Sequence, residues 1–421
     1  MRILMRSPNS SELGGEIGGM RIAHCFVLAA LVLPVAGAKH ASITGKVVDA
    51  TGAALENATV LIYKAGVKTG YSTFCPTCYV DCGKHATTTA DGAFQLNGLS
   101  PDLLFTILVL HPGNATATVD ALDPAKGLVD SVMLKAREAV QDAGRLVRGR
   151  VVDLQGHPAK VAVVEQQGIL FASGGQSYGP NGWVDLLSVT NDKGEFEMAY
   201  EKPAAKMILS VAARGMAPKL FSVPTGAAQQ TMTVAEGATV RGRLVYKGKP
   251  VSHAEVGLLS HNRRSGTAYP EVRIGTQDDG TFAITNVPAG RIWVAYPKME
   301  SLAERNLAGQ SLALETRDNG EEVNVGDIEL APAYKLSGQV VLTDGKPIPT
   351  GMRILLSAEN GFDSQTALLP ADGRFEFRGV PAGAHSLNPS LKGYEFPEGY
   401  EQETLIKGDR KVIIQLRPKT R

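Results

Sequence analysis

The chain has 421 residues, of which 43% are hydrophobic, and its 43 basic and 42 acidic side chains leave a net charge of +1. This length exceeds what one hydrophobic core usually organises, so about three or four domains are expected. The balanced charge argues against nucleic acid as a partner and offers no polybasic segment for an anionic membrane surface.

The first predicted element is a targeting segment. Arg21 precedes a short apolar run that begins at Phe26, and the run ends in small residues at Ala38. This pattern predicts a secretory signal peptide over residues 1–38, with Met20 as an alternative start because acidic residues precede the run. The run is too short for a membrane anchor. We therefore expect an exported protein, periplasmic, cell-surface or secreted, with no membrane span after signal removal.

Beyond this segment the sequence contains four copies of one pattern. Four openings align, and each carries a landmark glycine: "ITGKVVDATG", "VRGRVVDLQG", "VRGRLVYKG" and "LSGQVVLTDG", with Gly45, Gly149, Gly242 and Gly338. Their spacing of about 95 residues is the size of a small β-sandwich. We interpret the glycines as structural, marking a strand bend or a close approach of the backbone.

Each copy continues with a turn and a landmark phenylalanine. The segments are "ADGAFQL", "DKGEFEM", "DDGTFAI" and "ADGRFEF", with Phe94, Phe196, Phe282 and Phe375. Apolar residues alternate after each phenylalanine, which predicts a strand with one buried face. Asp-Gly before it, present in three of the four copies, predicts a tight hairpin with positive backbone angles. A proline turn follows in three copies and is weaker in copy two, and each copy closes with another alternating strand.

These patterns predict an all-β protein of four tandem Greek-key β-sandwich domains, each with a phenylalanine in its core and each folding on its own. We expect the domains at residues 39–137, which include a cysteine-rich loop, 146–235, 237–331 and 333–421.

The openings, the "T...G.F.l..vpaG" middles and the closing strands resemble the carboxypeptidase regulatory-like domain, a transthyretin-like (prealbumin-like) sandwich with a carbohydrate-binding-like fold. The resemblance covers nearly all of the mature chain. It implies a domain that accompanies catalytic parts without being catalytic itself. We identify no catalytic constellation and no cofactor-binding residue, so the expected function is binding or scaffolding, with a protein or a glycan at the cell envelope as partner.

Copy one inserts the segment "FCPTCYVDCGKH". Its Cys75, Cys78, Cys82 and His85 have the ligand types of a zinc or copper site. In an oxidising compartment a disulfide among the three cysteines, leaving one thiol, is the preferred interpretation, and sequence cannot choose among the three pairings. A redox accessory function centred on this loop is the alternative that the cysteines leave open.

Copy two inserts "ASGGQSYGPNGW" at the equivalent place. Tyr178 and Trp183 in this segment could stack on a sugar ring, which makes an array of carbohydrate-binding modules a further alternative. Aromatic rings folded back onto the sheet would explain the same residues without a ligand.

Overall fold

A computed structural model describes residues 41–73, 84–111, 113–136, 145–179, 184–185, 187–261, 269, 271–358, 363–399 and 403–419. In these residues the protein is all-β, as predicted. Buried residues form four large clusters, within residues 43–134, 147–234, 238–330 and 336–416, and we call the surrounding strands modules one to four.

Module one contains two sheets. Its strands are β1 (Ala41–Asp49), β2 (Thr59–Val67), β3 (His85–Thr87), β4 (Ala93–Leu99), β5 (Leu103–Leu110), β6 (Ala117–Leu122) and β7 (Val132–Leu134). One sheet has the order β4-β1-β7 and the other the order β3-β2-β5-β6.

Module two repeats this plan with one additional short strand. Its strands are β8 (Leu146–Val152), β9 (Val163–Leu170), β10 (Gln176–Tyr178), β11 (Leu187–Val189), β12 (Glu195–Ala199), β13 (Lys206–Ala212), β14 (Lys219–Pro224) and β15 (Gly226–Thr233). The sheets are β12-β8-β15 and β10-β9-β13-β14, and β11 also pairs with β9.

Module three has the same two sheets and a short helical segment. Its strands are β16 (Ala238–Tyr246), β17 (Lys249–Pro250), β18 (Glu255–Ser260), β19 (Val272–Gly275), β20 (Thr281–Val287), β21 (Arg291–Pro297), β22 (Leu307–Ala308), β23 (Leu312–Thr316) and β24 (Glu322–Glu329). Helix α1 (Met299–Leu302) and a 3₁₀ turn (Ala303–Arg305) follow β21. The sheets are β17-β16-β20, with β24 also on β16, and β19-β18-β21-β23; β25 (Ala331–Pro332) pairs with β22.

Module four completes the series. Its strands are β26 (Tyr334–Leu342), β27 (Arg353–Ala358), β28 (Ser364–Leu368), β29 (Arg374–Val380), β30 (Gly383–Ser390), β31 (Tyr394–Glu395), β32 (Glu403–Ile406) and β33 (Arg410–Pro418). The sheets are β29-β26-β33-β31 and β28-β27-β30-β32.

One pairing rule is common to the four modules. The opening strand pairs antiparallel with the strand that carries the landmark phenylalanine and parallel with the closing strand. The predicted closing strands are therefore confirmed. Because each closing strand runs parallel to its opening strand, the chain must cross between the sheets before it closes the module.

The landmark glycine and phenylalanine of each copy are cross-strand neighbours. Gly45 lies opposite Phe94, and the same pairing recurs as Gly149–Phe196, Gly242–Phe282 and Gly338–Phe375. All four rings are at least 94% buried. A Cβ added at any of these glycines would lie 2.3–2.9 Å from an atom of the facing ring. The predicted close approach is confirmed, and the approaching group is the core phenylalanine.

The turn before each phenylalanine differs from the prediction in one respect. Its glycine has the expected positive φ in every copy, at Gly92, Gly194, Gly280 and Gly373. The strands on either side, however, belong to different sheets, so the turn is not a hairpin between paired strands. Its glycine carbonyl accepts a hydrogen bond from the opening strand, as from Val47 N–H to Gly92 O at 2.9 Å, and this bond fixes the passage from one sheet to the other.

A β-bulge follows the phenylalanine in three modules. The register shifts by one residue opposite a left-handed position four residues after the ring, at Gly98, Asn286 and Gly379. Module two pairs without a shift, and Tyr200 occupies the equivalent position. The absence of this bulge coincides with the weaker proline turn of copy two.

Candidate functional site

The connections that differ between copies all leave the same place in the sandwich. They join β2 to β3, β9 to β11, β18 to β19 and β27 to β28. In modules one, three and four the strand that follows is an edge of its sheet, and β11 pairs with β9 alone. An edge strand supports a loop of any length without disturbing the core, so these connections are where copies can acquire separate functions.

The metal-site candidate of module one is only partly described. Cys75, Cys78 and Cys82 lie outside the described residues, so neither the disulfide nor the metal prediction is tested. His85 is the first residue of β3 and is exposed opposite Leu61 of β2. The histidine therefore lies at the base of the cysteine loop, on the edge of the sheet.

The residues that immediately precede this loop contact module three. The N–H of Gly275, the last residue of β19, donates a hydrogen bond to the carbonyl of Ser72. A Cβ on Gly275 would lie 2.8 Å from the Cβ of Tyr71. Burial raises the pKa of Tyr71, and the charges of Glu255 and Glu300 in module three add to this shift. The loop thus begins against another module, a contact that no sequence pattern indicates.

Of the two aromatic candidates in module two, only Tyr178 lies within the described residues. Tyr178 ends the short edge strand β10 and is 50% exposed. The strand is held at its base by the buried amide of Gln166, which donates to the carbonyl of Gly179 at 3.1 Å. Trp183 lies outside the described residues. A half-exposed ring on a fixed edge strand can stack on a planar or sugar ligand.

A contact between modules one and two was missed by sequence reasoning. Leu61 and Leu108 lie on the outer face of module one yet are almost fully buried, because they pack with Val163 of module two. Tyr63 beside them donates a hydrogen bond to Glu165. Burial, together with the Glu165 charge, raises the pKa of Tyr63 well above its ordinary value. The phenol therefore stays protonated and serves as a fixed hydrogen-bond donor between modules.

Module one also carries an open groove of about 680 Å³ beside β1 and β4. Its lining includes Lys46, Gln95, Leu128 and Asp130. Leu128 is 74% exposed. An exposed leucine in a groove that is also lined by charges of both signs suits a shallow contact with another macromolecule.

The described part of the chain has neither of two other features. Within it, no group of three or more His, Cys, Asp or Glu side chains could hold a metal ion. Within the same residues, no helix is long and apolar enough to cross a membrane.

Comparison with known proteins agrees with the fold. Residues 42–135 match the model of the carboxypeptidase regulatory-like domain, so module one is a domain of this type. No curated protein matches the chain in sequence.

Three solved structures show similarity to this chain. The Bacillus anthracis TIE protein is 16% identical over 86% of this chain and 68% of its own, with a TM-score of 0.20. A streptococcal ancillary pilin is 11% identical over 66% of this chain and 100% of its own, with a TM-score of 0.23. BcpA, the major pilin subunit of Bacillus cereus, is 11% identical over 70% of this chain and 100% of its own, with a TM-score of 0.19. Likenesses this low carry no conclusion about function.

Proposed function

We propose that this chain, whose first module is a carboxypeptidase regulatory-like domain, is a non-catalytic scaffold exported to the cell envelope. One observation carries the proposal: the residues that all four copies share are used to build the sandwich. The landmark glycines and phenylalanines pack against each other, and the turn glycines connect the sheets. What the copies do not share lies in edge loops, which is where a rigid scaffold displays contacts to partners.

The partner proposed is a protein or a glycan of the envelope. The near-zero net charge and the leader-like first 38 residues support this class over nucleic acid. The groove of module one, which is lined by exposed Leu128 and by Lys46 and Asp130, supports a protein contact.

Sedimentation with isolated cell envelopes tests the proposal. The chain beginning at Lys39 should pellet with envelopes, and Leu128→Lys should weaken this association several-fold. Leu368→Lys is the matched control, because Leu368 is also exposed, at 64%, but lies in module four. Pretreating envelopes with protease should abolish binding to a protein partner and spare binding to a glycan. A chain that stays in the supernatant under all conditions would refute the proposal.

Carbohydrate binding is the second candidate function, favoured by the half-exposed ring of Tyr178. On a glycan array, Tyr178→Ala should abolish binding and Tyr178→Phe should retain it, because stacking needs the ring rather than the hydroxyl. Equal binding by both variants would place the sugar elsewhere, and no binding by the unaltered chain would exclude the candidate.

The cysteine loop supports a separate proposal. We infer one disulfide among Cys75, Cys78 and Cys82, with zinc or copper binding, completed by His85, as the alternative. Intact mass after alkylation with and without reductant counts the free thiols, and elemental analysis measures the metal. One free thiol supports the disulfide. Stoichiometric metal with no disulfide supports the metal site, and three alkylated cysteines without metal would refute both.

A further inference from the structure

The contact between modules three and four contains a buried ion pair. Lys298 Nζ lies 2.8 Å from Asp363 Oδ1, and each side chain is 5% exposed. The pair at Arg243 and Asp327, within module three, has side chains that are 43% and 51% exposed. Burying two charges costs solvation free energy. This cost is offset only where the charges pair with each other and further hydrogen bonds replace those lost to water.

Those further hydrogen bonds are present around Asp363. Its carboxylate also accepts hydrogen bonds from the backbone N–H groups of Met299, at 2.5 Å, and Ser364, at 2.8 Å. Lys298 Nζ lies 3.4 Å from the carbonyl of Ser364 as well. The carboxylate and the ammonium are thus bonded on both sides of the module boundary.

Asp363 also caps a helix of the other module. Met299 is the first residue of α1, and Lys298, at the N-cap position, makes no capping bond with its own side chain. A helix start leaves N–H groups without partners inside the helix, and a carboxylate is a favourable acceptor for them. Module four therefore supplies the acceptor that the sequence of α1 lacks.

The surfaces around the pair fit closely. A Cβ on Gly379 in β29 would lie 2.5 Å from the carbonyl oxygen of Met299 and 2.9 Å from the Cα of Ala303. Leu302 is fully buried in the core of module three, so α1 is fixed to its own module on the opposite side. Gln310 donates a hydrogen bond to the carbonyl of Ala382 at 3.2 Å. Helix α1 is thus held between two cores.

We propose that Lys298 and Asp363 form a clamp that makes modules three and four one cooperative folding unit. If module four opens, α1 loses its cap and Lys298 its ion partner. If module three opens, Asp363 loses its ion partner. In both cases the tight contact at Gly379 is lost. Independent folding of every copy, the expectation from the repeats, would then hold for neither of the last two. The proposal does not depend on which partner the scaffold binds.

Hydrogen exchange of the full chain, followed by mass spectrometry, tests the clamp. Asp363→Asn keeps the size and an acceptor for α1 but removes the carboxylate that pairs with the buried Lys298 ammonium. Breaking a buried pair in this way should raise amide exchange on the order of 100-fold or more, in β21 and in β29 together. Asp327→Asn, the matched control at an exposed pair, should raise it about fivefold or less. An increase confined to one module, or equal increases for both variants, would overturn the proposal.

A second variant keeps the test decisive if Asp363→Asn fails to fold. Phe282→Ala removes the core ring of module three without touching the clamp. Exchange should then rise in β29 of module four as well as in β20, while β4 of module one stays unchanged. Unchanged exchange in β29 would show that module four folds without module three and would refute the clamp.

Discussion

Replacing a landmark glycine with alanine should destabilise its module, because the added methyl group has no room beneath the landmark phenylalanine. At Gly45 the new Cβ would lie 2.9 Å from two atoms of the Phe94 ring and 3.3 Å from Val129. Real Cβ atoms do not approach other atoms so closely, so the ring must shift in a filled core. Overpacking of this kind typically costs ~1–3 kcal/mol of unfolding free energy.

The structure also distinguishes Gly338 from the other three landmark glycines, at which an added Cβ would meet only side-chain atoms. At Gly338 the added Cβ would lie 2.3 Å from the carbonyl oxygen of Val412 and 2.6 Å from the Phe375 ring. A backbone oxygen of the neighbouring strand cannot rotate away as a ring can. Gly338→Ala should therefore cost more than Gly45→Ala and should loosen the pairing of β26 with β33.

Equilibrium denaturation, with hydrogen exchange assigning the change to a module, measures these costs. Gly66→Ala in β2 is the matched control for Gly45→Ala, because the Cβ it adds would have no heavy atom within 4 Å. Such a replacement is expected to be neutral or stabilising by about 0.4–1 kcal/mol. In a Gly45→Ala/Phe94→Leu double variant, the glycine replacement should cost less than it does alone. Equal effects of Gly45→Ala and Gly66→Ala would refute the steric explanation.

Three further outcomes are expected. Burial lowers the pKa of His385, whose buried Nε2 has no hydrogen-bond partner among the described residues, so the unfolded chain takes up this proton more readily. Module four should therefore lose stability as pH falls below about 6.5, and His385→Leu should flatten that dependence; parallel stability curves for the two proteins would contradict it. Tyr63→Phe leaves Glu165 without its phenol donor and should lower the free energy of unfolding, measured by denaturation, by about 1.5–3 kcal/mol. In an alkaline absorbance titration the Tyr63 phenolate should appear only when the module unfolds, and phenolate formation in the folded chain would contradict the raised pKa. Gly275→Ala should displace Tyr71 and speed exchange at residues 71–73 without lowering the melting temperature of module three; unchanged exchange there would argue against the contact.

Much of the fold could be predicted because its signals are local. Alternation after Phe94 and its counterparts defines a strand with one buried face, and a glycine before each ring permits the left-handed turn. The repeat of these signals reveals four sandwiches without any knowledge of long-range contacts. The sequence placed the candidate loops correctly for the same reason, since they are the segments that interrupt an otherwise repeated pattern.

Local signals do not specify how one sheet meets another. The turn before the phenylalanine has the residues of a hairpin, yet its two strands pair with different neighbours, because the opening strand satisfies the hydrogen bonds of β4 while β2 satisfies those of β3. The choice depends on which face each strand buries against the other sheet, and this is settled only when both sheets are assembled.

By itself, the sequence determined the number of copies, the strand that bears each core ring and the glycine that makes room for it. Only the tertiary structure decided the contacts between copies: Tyr63 with Glu165, Ser72 with Gly275, and Lys298 with Asp363. Each joins residues far apart in the chain, and the polar side chains of the first and last contacts would by themselves be assigned to the solvent. Burial changes that assignment, because a charge or hydroxyl removed from water must find its partner within the fold, wherever the chain has placed one.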